Sequence, residues 1–235
     1  FINKTPTFGK SFVCSDDVEL EKIISKIKNR NILTYGFNKN ANFQILNTYY
    51  DKNYSVFDLK VSIPSIRKKI IKGIKVNLIG SHNILNAAVS VALSSYIGVS
   101  LKIIKKSLRE FAGIQRRMTK VLKINGNDFF DDYAHHPTEI KSVLDSLKKT
   151  NPYRKIISVF QPHRYSRIQL LKKEFSFSFK SSDKLVLCPV YSAGEKINKN
   201  YDPEKFAKLI SKNSCVQVIL INGQEELNKF FKKNL

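Results

Sequence analysis

The sequence predicts an α/β protein whose second half forms a mostly parallel sheet. Three observations lead to this fold class. After about residue 114, apolar segments of strand length alternate with amphipathic helical segments, which is typical of βαβ units. Residues 42–79 carry repeated β-favouring runs, which indicate a small antiparallel excursion. The 235 residues, 42% of them hydrophobic, are enough for one large or two small cores.

The first half begins with strands and helices in alternation. KSFVCSDD (10–17) predicts a strand that runs into an acidic turn, and VELEKIISKIKN (18–29) has the apolar spacing of a helix. NILTYGF (31–37) predicts a short strand closed by a glycine. HNILNAAVSVALSSYIG (82–98) is an Ala-rich helix ended by its glycine, and LKIIKKSLREF (101–111) is a second helix.

The second half alternates more regularly. We expect strands at 129–130, 155–160, 184–191 and 215–222, and helices at 137–149, 168–179, 203–212 and 225–233. This order predicts right-handed crossovers and a parallel sheet that helices cover on both faces. We therefore divide the chain into domains at 1–115 and 116–235.

Charge and cysteine content limit the function classes. The 41 Lys and Arg against 19 Asp and Glu give a net charge of +22, but lysine is spread along the whole chain and no RNA-binding motif accompanies it. We expect a solvated basic surface and no nucleic-acid partner, although a basic nucleic-acid binder remains an alternative. No apolar segment reaches the roughly 20 residues of a bilayer span, and the amino end is no secretory signal. Three widely spaced cysteines indicate reduced thiols and a cytoplasmic protein without a membrane partner.

Polar loops follow three strands of the predicted sheet: DDYAHHP (131–137), QPHRYSR (161–167) and YSAGE (191–195). Ligands of open parallel sheets bind beyond the carboxyl ends of the strands. Consecutive strands bring these loops to the same rim, so several side chains are expected to converge there. They are Tyr133, His135, His163, Arg164 and Arg167.

The arginines are the most informative of these residues. Arg164 and Arg167 are three residues apart just after a strand, a spacing that suits a fork for a carboxylate or phosphate. A surface salt bridge is the alternative. Arginine is scarce beside lysine in this chain, yet it clusters here and at Arg116 and Arg117, which favours a binding role.

The pairs Asp131–Asp132 and His135–His136 raise the possibility of a metal site. Metal ligands on one helix or strand are normally two to four residues apart, whereas neighbours point in different directions. We expect one member of each pair to face the site and no metal to be bound. For Asp131 and His136 the spacing favours a purely structural role in the turn, with His136 capping the helix at Pro137.

Asn83 and Asn86 lie three apart at the start of an apolar helix, so both amides project from its first turn. Amides in this position can bind a purine edge, and simple helix capping by Ser81 or Asn83 is the alternative. No G-x-x-x-x-G-K-[ST] and no G-x-G-x-x-G occurs among the nine glycines. These 235 residues therefore contain no P-loop.

Five blocks in this order, GSHNILNAAVSVALSSYIGVS, FAGIQRRM, DDYAHHPTEI, FQPHRYSRI and VYSAGE, resemble the signature blocks of the Mur ligases, in particular those that add L-alanine. The resemblance implies the latter part of the central ATPase domain, followed by a Rossmann-like carboxy-terminal domain. The implied reaction, in peptidoglycan precursor synthesis, joins L-alanine to UDP-N-acetylmuramate through an acyl phosphate. It uses ATP and Mg²⁺, with the magnesium ligands expected upstream of this sequence.

The resemblance also implies residue roles. Asn83 and Asn86 would contact the adenine, with His82 beside them, while Arg117 and Asp132 would serve the nucleotide, Asp132 through the ribose hydroxyls. The converging rim residues would form the alanine pocket, and Arg117, His135 and His163 would be catalytic. Without a P-loop, we expect no ligase turnover from these 235 residues alone. A non-catalytic nucleotide- or amino-acid-binding module is a further alternative.

Overall fold

The computed structural model describes residues 2–24, 26–27, 31–51, 53–63 and 66–234. The chain divides into two compact units, Phe1–Gly113 and Ile114–Leu235. This division lies two residues before the boundary expected between 115 and 116. No helix among the described residues is long and apolar enough to cross a membrane.

The first unit is a five-stranded sheet with helices. A 3₁₀ turn at Ile2–Lys4 precedes the regular elements. These are β1 (Ser11–Cys14), α1 (Val18–Ile24), β2 (Ile32–Gly36), β3 (Phe43–Tyr50), β4 (Ser55–Ile63), β5 (Ile66–Val76), α2 (Ser81–Tyr96) and α3 (Leu101–Glu110). The strands lie in chain order; β1, β2 and β3 are parallel, whereas β3, β4 and β5 are antiparallel. The antiparallel excursion predicted over 42–79 is confirmed.

Alternation along β4 builds the core of this unit. Every second residue of the strand is buried, including Phe57 and Leu59 at 0% exposure, because successive side chains point to opposite faces. They belong to one core cluster with Ile84, Ala88 and Val91 of α2. The predicted helix 82–98 is confirmed as α2, and Gly98 follows its end with φ 88°.

Two helical predictions were too long. α1 ends at Ile24, and Ile27, the last residue of the apolar series, lies beyond it. Residues 25 and 28–30 of that prediction lie outside the described residues. α3 ends at Glu110, one residue before the predicted end.

The second unit contains two sheets. Its elements are β6 (Thr119–Ile124), β7 (Asn127–Asp131), α4 (Pro137–Thr150), β8 (Ile157–Phe160), α5 (Tyr165–Leu170), α6 (Lys172–Phe177), β9 (Lys184–Leu187), α7 (Pro203–Ser214), β10 (Gln217–Leu220) and α8 (Gln224–Asn234). Three strands form the predicted parallel sheet in the order β10-β9-β8, and β6 and β7 form an antiparallel hairpin. The predicted helix 168–179 is two helices that meet at Leu171.

The expectation that the strand at 129–130 belongs to the parallel sheet was wrong. β7 pairs with β6, and a cavity of about 340 Å³, lined by residues such as Phe129, Leu144 and Val159, lies between β7, α4 and β8. Helices also do not cover the whole of the parallel sheet. The central strand β9 is buried on both faces, but Val159 of the edge strand β8 is 43% exposed.

Phenylalanine rings fill the core of the second unit. Phe160 lies 5.8 Å from Phe175 and 5.3 Å from Phe179 between ring centroids, and Phe175 lies 6.3 Å from Phe206. Phe175, Phe179 and Phe206 are at most 1% exposed. These tilted and edge-on ring pairs are the favoured aromatic geometries, and they anchor α6 and α7 beside β8, whose carboxyl end carries the polar loop.

Candidate active site

The loops after β8 and β9 continue the pairing of the two strands. Cys188 N donates to Phe160 O at 2.9 Å, Tyr191 N to Pro162 O at 2.8 Å, and Arg164 N to Tyr191 O at 2.9 Å. His163 and Tyr191 form an isolated parallel bridge. Backbone hydrogen bonds of this kind fix the positions of loop side chains. The QPHRYSR and YSAGE loops are therefore joined by backbone hydrogen bonds at the end of the sheet.

The loop after β7 reaches the same place. A row of four rings runs from Tyr133 through His135 and His163 to Tyr191, with centroid distances of 5.0, 5.9 and 5.4 Å. The predicted meeting of the DDYAHHP and QPHRYSR loops is thus confirmed, although β7 is not a strand of the parallel sheet. α4, which begins at Pro137 between β7 and β8, makes the connection.

Hydrogen bonds define the neutral tautomer of His135. Its Nδ1 lies 2.8 Å from Tyr133 O. A carbonyl oxygen can only accept, so Nδ1 carries the hydrogen and Nε2 keeps its lone pair. The Glu139 carboxylate, 3.8 Å from Nδ1, supports the same orientation. His135 therefore presents a proton acceptor.

His163 has the opposite tautomer. Arg167 Nη1 lies 3.3 Å from His163 Nδ1, and because a guanidinium can only donate, Nδ1 accepts and Nε2 carries the hydrogen. Partial burial, followed by the Arg167 and Arg164 guanidiniums, lowers the pKa of His163 below its ordinary value of 6.5. His163 is thus a neutral hydrogen-bond donor at pH 7.

The two arginines occupy the start of α5. Arg164 is the residue before the helix and has φ 69°, a left-handed conformation that is strained for a side chain of this size. Arg167 lies one turn later, half-buried, and holds the His163 ring. The positive charges of both guanidiniums contribute to the lowered pKa of His163.

Asp131 and Asp132 diverge, as the sequence suggested. Asp131 pairs with Arg116 at 3.5 Å, and the Arg116 guanidinium lies 4.9 Å from the centre of the Tyr133 ring. Asp132 accepts from Met118 N at 2.8 Å and from Ala134 N at 2.7 Å. The structural reading of Asp131 is confirmed. Asp132 likewise fixes the backbone on both sides of the hairpin.

His135 and His136 diverge as well. His136 is the N-cap residue of α4, as predicted, and is exposed, while Glu139 of the first turn accepts from both His135 N and His136 N at 3.1 and 3.2 Å. The same carboxylate lies 3.8 Å from Arg117 Nη1. Arg117 is therefore linked to the His135 turn through Glu139.

No group of three or more His, Cys, Asp or Glu side chains that could hold a metal ion occurs within the described ranges of the chain. The neighbouring acidic and histidine pairs, whose members point apart, are consistent with this. Three free thiols are present, Cys14, Cys188 and Cys215.

In the first unit, the amide residues lie at the start of α2. The N-cap position is Gly80, with φ 105°, and no side chain caps the helix, so the simple capping alternative for Ser81 or Asn83 was wrong. Asn83 Nδ2 instead donates to Ile79 O at 2.8 Å and holds the preceding turn. Asn86 is exposed, and His82 is half-buried.

Two residues of the site, Tyr191 and Glu195, were missed from the sequence. Tyr191 ends the ring row, and Glu195 accepts a hydrogen bond from Ser166 N at 3.1 Å and one from Ser166 Oγ. The YSAGE segment was recognised as a polar loop after a strand, and that position was the available signal for Tyr191. The pairing of Glu195 with a residue 29 positions away has no signal in the sequence.

Comparisons with known proteins agree over both units. Residues 1–94 match a family model described as the Mur ligase middle domain, and residues 116–233 match one described as the Mur ligase glutamate ligase domain. A relative from Pelagibacter ubique, named UDP-N-acetylmuramate–L-alanine ligase, is 46% identical over 100% of this chain and 51% of its own length. A protein of the same name from Bartonella tribocorum is 33% identical over 99% of this chain and 49% of its own.

Solved structures share the fold. The crystal structure of UDP-N-acetylmuramate-alanine ligase MurC from Thermotoga maritima is 21% identical, with a TM-score of 0.66 over 93% of this chain and 52% of that chain. MurF from Acinetobacter baumannii is 19% identical, with a TM-score of 0.69 over 96% of this chain and 45% of that one. The chain thus spans about half the length of the curated relatives it matches.

Proposed function

Because the chain belongs to the Mur ligase family, we propose that it is part of an ATP-dependent ligase that joins L-alanine to UDP-N-acetylmuramate in peptidoglycan precursor synthesis. The 46% identity to a ligase of that name over the full chain supports this substrate pair. Residues 1–115 are the latter part of the central ATP-binding domain, and residues 116–235 are the Rossmann-like amino-acid-binding domain. The activity belongs to the whole protein, since this chain spans 51% of that relative.

The ring row of the second unit carries the proposal. The 5.9 Å approach of His135 and His163, with Arg167 hydrogen-bonded to one of them, brings imidazoles and a guanidinium from two loops into one cluster. An α-amino acid has a carboxylate that suits the arginines Arg164 and Arg167. Tyr133 and Tyr191 stand at the two ends of the row and are about half exposed.

The two tautomers give the histidines different roles. The alanine ammonium transfers one proton to the lone pair of His135 Nε2, which leaves a neutral amine able to attack the activated carboxyl carbon. His163 Nε2–H donates to the oxygen on which negative charge develops when the carbon becomes tetrahedral. Collapse of this intermediate to the amide breaks the C–O bond to phosphate, and the phosphate leaves with the remaining excess proton of the amine. Protonation at His163 Nδ1 would remove the acceptor of the Arg167 hydrogen bond, and the lowered pKa of His163 keeps that nitrogen unprotonated.

Of the residues predicted to serve ATP, the amides lie in the first unit, and Asp132 and Arg117 lie in the second unit. Asn86 is exposed and Asn83 keeps its carbonyl oxygen for an exocyclic amine, with His82 beside them. Asp132 has lone pairs left beyond its two backbone hydrogen bonds for ribose hydroxyls, and Arg117 supplies positive charge. When bound, ATP supplies the phosphoryl group that activates the muramoyl carboxylate. Among the described residues no group of three or more His, Cys, Asp and Glu side chains could hold a metal ion, and we assign no step to Mg²⁺ here.

We also propose a cytoplasmic location. The three cysteines are free thiols, as in reducing compartments, and the proposed reaction consumes ATP.

Calorimetric titration of the chain with L-alanine tests the pocket. We expect binding that Arg164→Ala and Arg167→Ala each weaken by about tenfold or more, since a charge-assisted hydrogen bond is lost. Lys173→Ala, which removes an exposed charge from α6, is the matched control and should bind normally. L-Alanine binding that neither arginine variant changes would reject the pocket. Without a P-loop in its sequence, the 235-residue chain should show no ligase turnover.

A further inference from the structure

Helix α5, which carries the arginines, begins without a cap of its own. Its N-cap residue is Arg164, whose side chain makes no capping hydrogen bond and whose φ of 69° lies outside the extended conformation usual at this position. Helix N-caps are normally Ser, Thr, Asp or Asn, which accept from the first free N–H groups. A strained arginine at this position persists only if other contacts hold it.

Glu195 provides the missing acceptor from the neighbouring loop. Its Oε2 accepts from Ser166 N at 3.1 Å, and its Oε1 accepts from Ser166 Oγ. These two hydrogen bonds from Ser166, the side-chain one first, keep the pKa of Glu195 below its ordinary value. The carboxylate is therefore charged and bound to the first turn of α5.

The turn that carries Glu195 is itself fixed. Glu195 N donates to Ser192 O at 3.1 Å, and the intervening Ala193 and Gly194 have φ values of 50° and 87°. In the same loop, Tyr191 O accepts a hydrogen bond from Arg164 N at 2.9 Å. The start of α5 is thus held at two points, by a backbone carbonyl at Arg164 and by a carboxylate at Ser166.

We infer that Glu195 is a positioning residue, which caps α5 from the neighbouring loop and thereby holds Arg164 and Arg167 in the geometry that binds the substrate carboxylate. This inference rests on the proposed function of the arginines. Because Glu195 occupies the Ser166 N–H in the first turn of the helix, the substrate carboxylate is left to the two guanidiniums. With the cap supplied from elsewhere, the residue at the N-cap position is free to be an arginine.

Two ligands separate this role from direct contact with the substrate. L-Alanine has a carboxylate and an ammonium, whereas propionate has the carboxylate alone. If Glu195 acts through the arginines, Glu195→Ala weakens the binding of both ligands by the same factor, about tenfold or more. If Glu195 instead binds the ammonium, only L-alanine weakens, and that result would overturn the inference.

Ser166→Ala is the second variant, since it removes one of the two hydrogen bonds but leaves the carboxylate charge in place. We expect it to weaken L-alanine and propionate equally and by less than Glu195→Ala, in titrations followed by NMR below the unfolding temperature. Unchanged affinities in both variants, with wild-type binding intact, would overturn the positioning role while leaving the alanine pocket standing. A wild-type chain that binds neither ligand would overturn the pocket and this inference together.

Discussion

The imidazole rings of His135 and His163 lie 5.9 Å apart between centroids, and their hydrogen-bond partners give them opposite tautomers. A backbone carbonyl receives Nδ1–H of His135, and a guanidinium donates to Nδ1 of His163. One Nε2 is therefore an acceptor and the other a donor. Two identical side chains in one site thus have distinct chemical capacities, which the sequence alone could not assign.

The acceptor role of His135 leads to the first expectation. His135→Asn in the whole ligase should lower kcat by about 10²- to 10⁴-fold, because a positioned proton acceptor is lost, while the KM for L-alanine changes little. A steady-state assay of phosphate release measures both. His136→Asn is the matched control, since His136 is exposed at the N-cap of α4 and asparagine is a good N-cap residue. Equal losses in the two variants would contradict the assignment.

The second expectation concerns the titration of His163. Burial and the Arg167 and Arg164 guanidiniums lower its pKa, His135 lowers it further, and Glu195 raises it. A ¹H–¹³C NMR titration should therefore find a pKa below 6.5 for His163, and Arg167→Ala should raise that pKa. A wild-type value at or above 6.5 would contradict the neutral donor.

The same shift fixes the sign of a stability effect. The unfolded chain binds the His163 proton more tightly than the folded chain does, so the folded state loses stability as the pH falls from the ordinary pKa of 6.5 through the lowered one. Above 6.5 the contribution is fully present. Urea unfolding of wild type and His163→Gln across this range should show a slope in the wild type that is smaller in the variant.

Most helices and strands could be predicted from local sequence patterns, because their formation depends on side-chain periodicity within one segment. The alternation in β4 and the apolar face of α2 are examples. The partner of β7 depends instead on long-range pairing. We expected β7 beside β8 because it precedes a crossover helix, but the hairpin with β6 forms between neighbouring segments. The site was still found, because α4 and the paired β8 and β9 loops determine where its residues meet.

β6 could have been predicted from the sequence. Asn125–Gly126 is a strong signal for a two-residue hairpin turn, in which both central residues have positive φ, and the structure has φ values of 48° and 79° there. The run TKVLKI before it was not recognised as a strand because it exposes most of its residues and lacks a clear apolar face. Glu195 could not have been found, since its role is a contact between two loops.

The hairpin turn gives the fourth expectation. A Cβ at Gly126 would meet no atom within 4 Å, so Gly126→Ala introduces only backbone strain of about 1 kcal/mol. Amide hydrogen exchange in β6 and β7 should become about fivefold faster. Gly223→Ala is the control, because its site is equally open and has no positive φ. Unchanged exchange in Gly126→Ala would show that the turn does not limit opening of the hairpin.

The last expectation separates the two asparagines of α2. Asn86 is exposed and its side chain holds no turn, whereas Asn83 Nδ2 supports Ile79 O. Asn86→Ala should therefore weaken ATP binding by the whole protein about three- to tenfold, for the loss of hydrogen bonds to adenine, without a change in thermal stability. Asn83→Ala should weaken ATP binding and also lower the thermal stability, because the turn before α2 loses its hydrogen-bond donor. Ser90→Ala, one turn further along the exposed side of the helix, is the control. If Asn86→Ala binds ATP as tightly as Ser90→Ala does, Asn86 is not part of the nucleotide site.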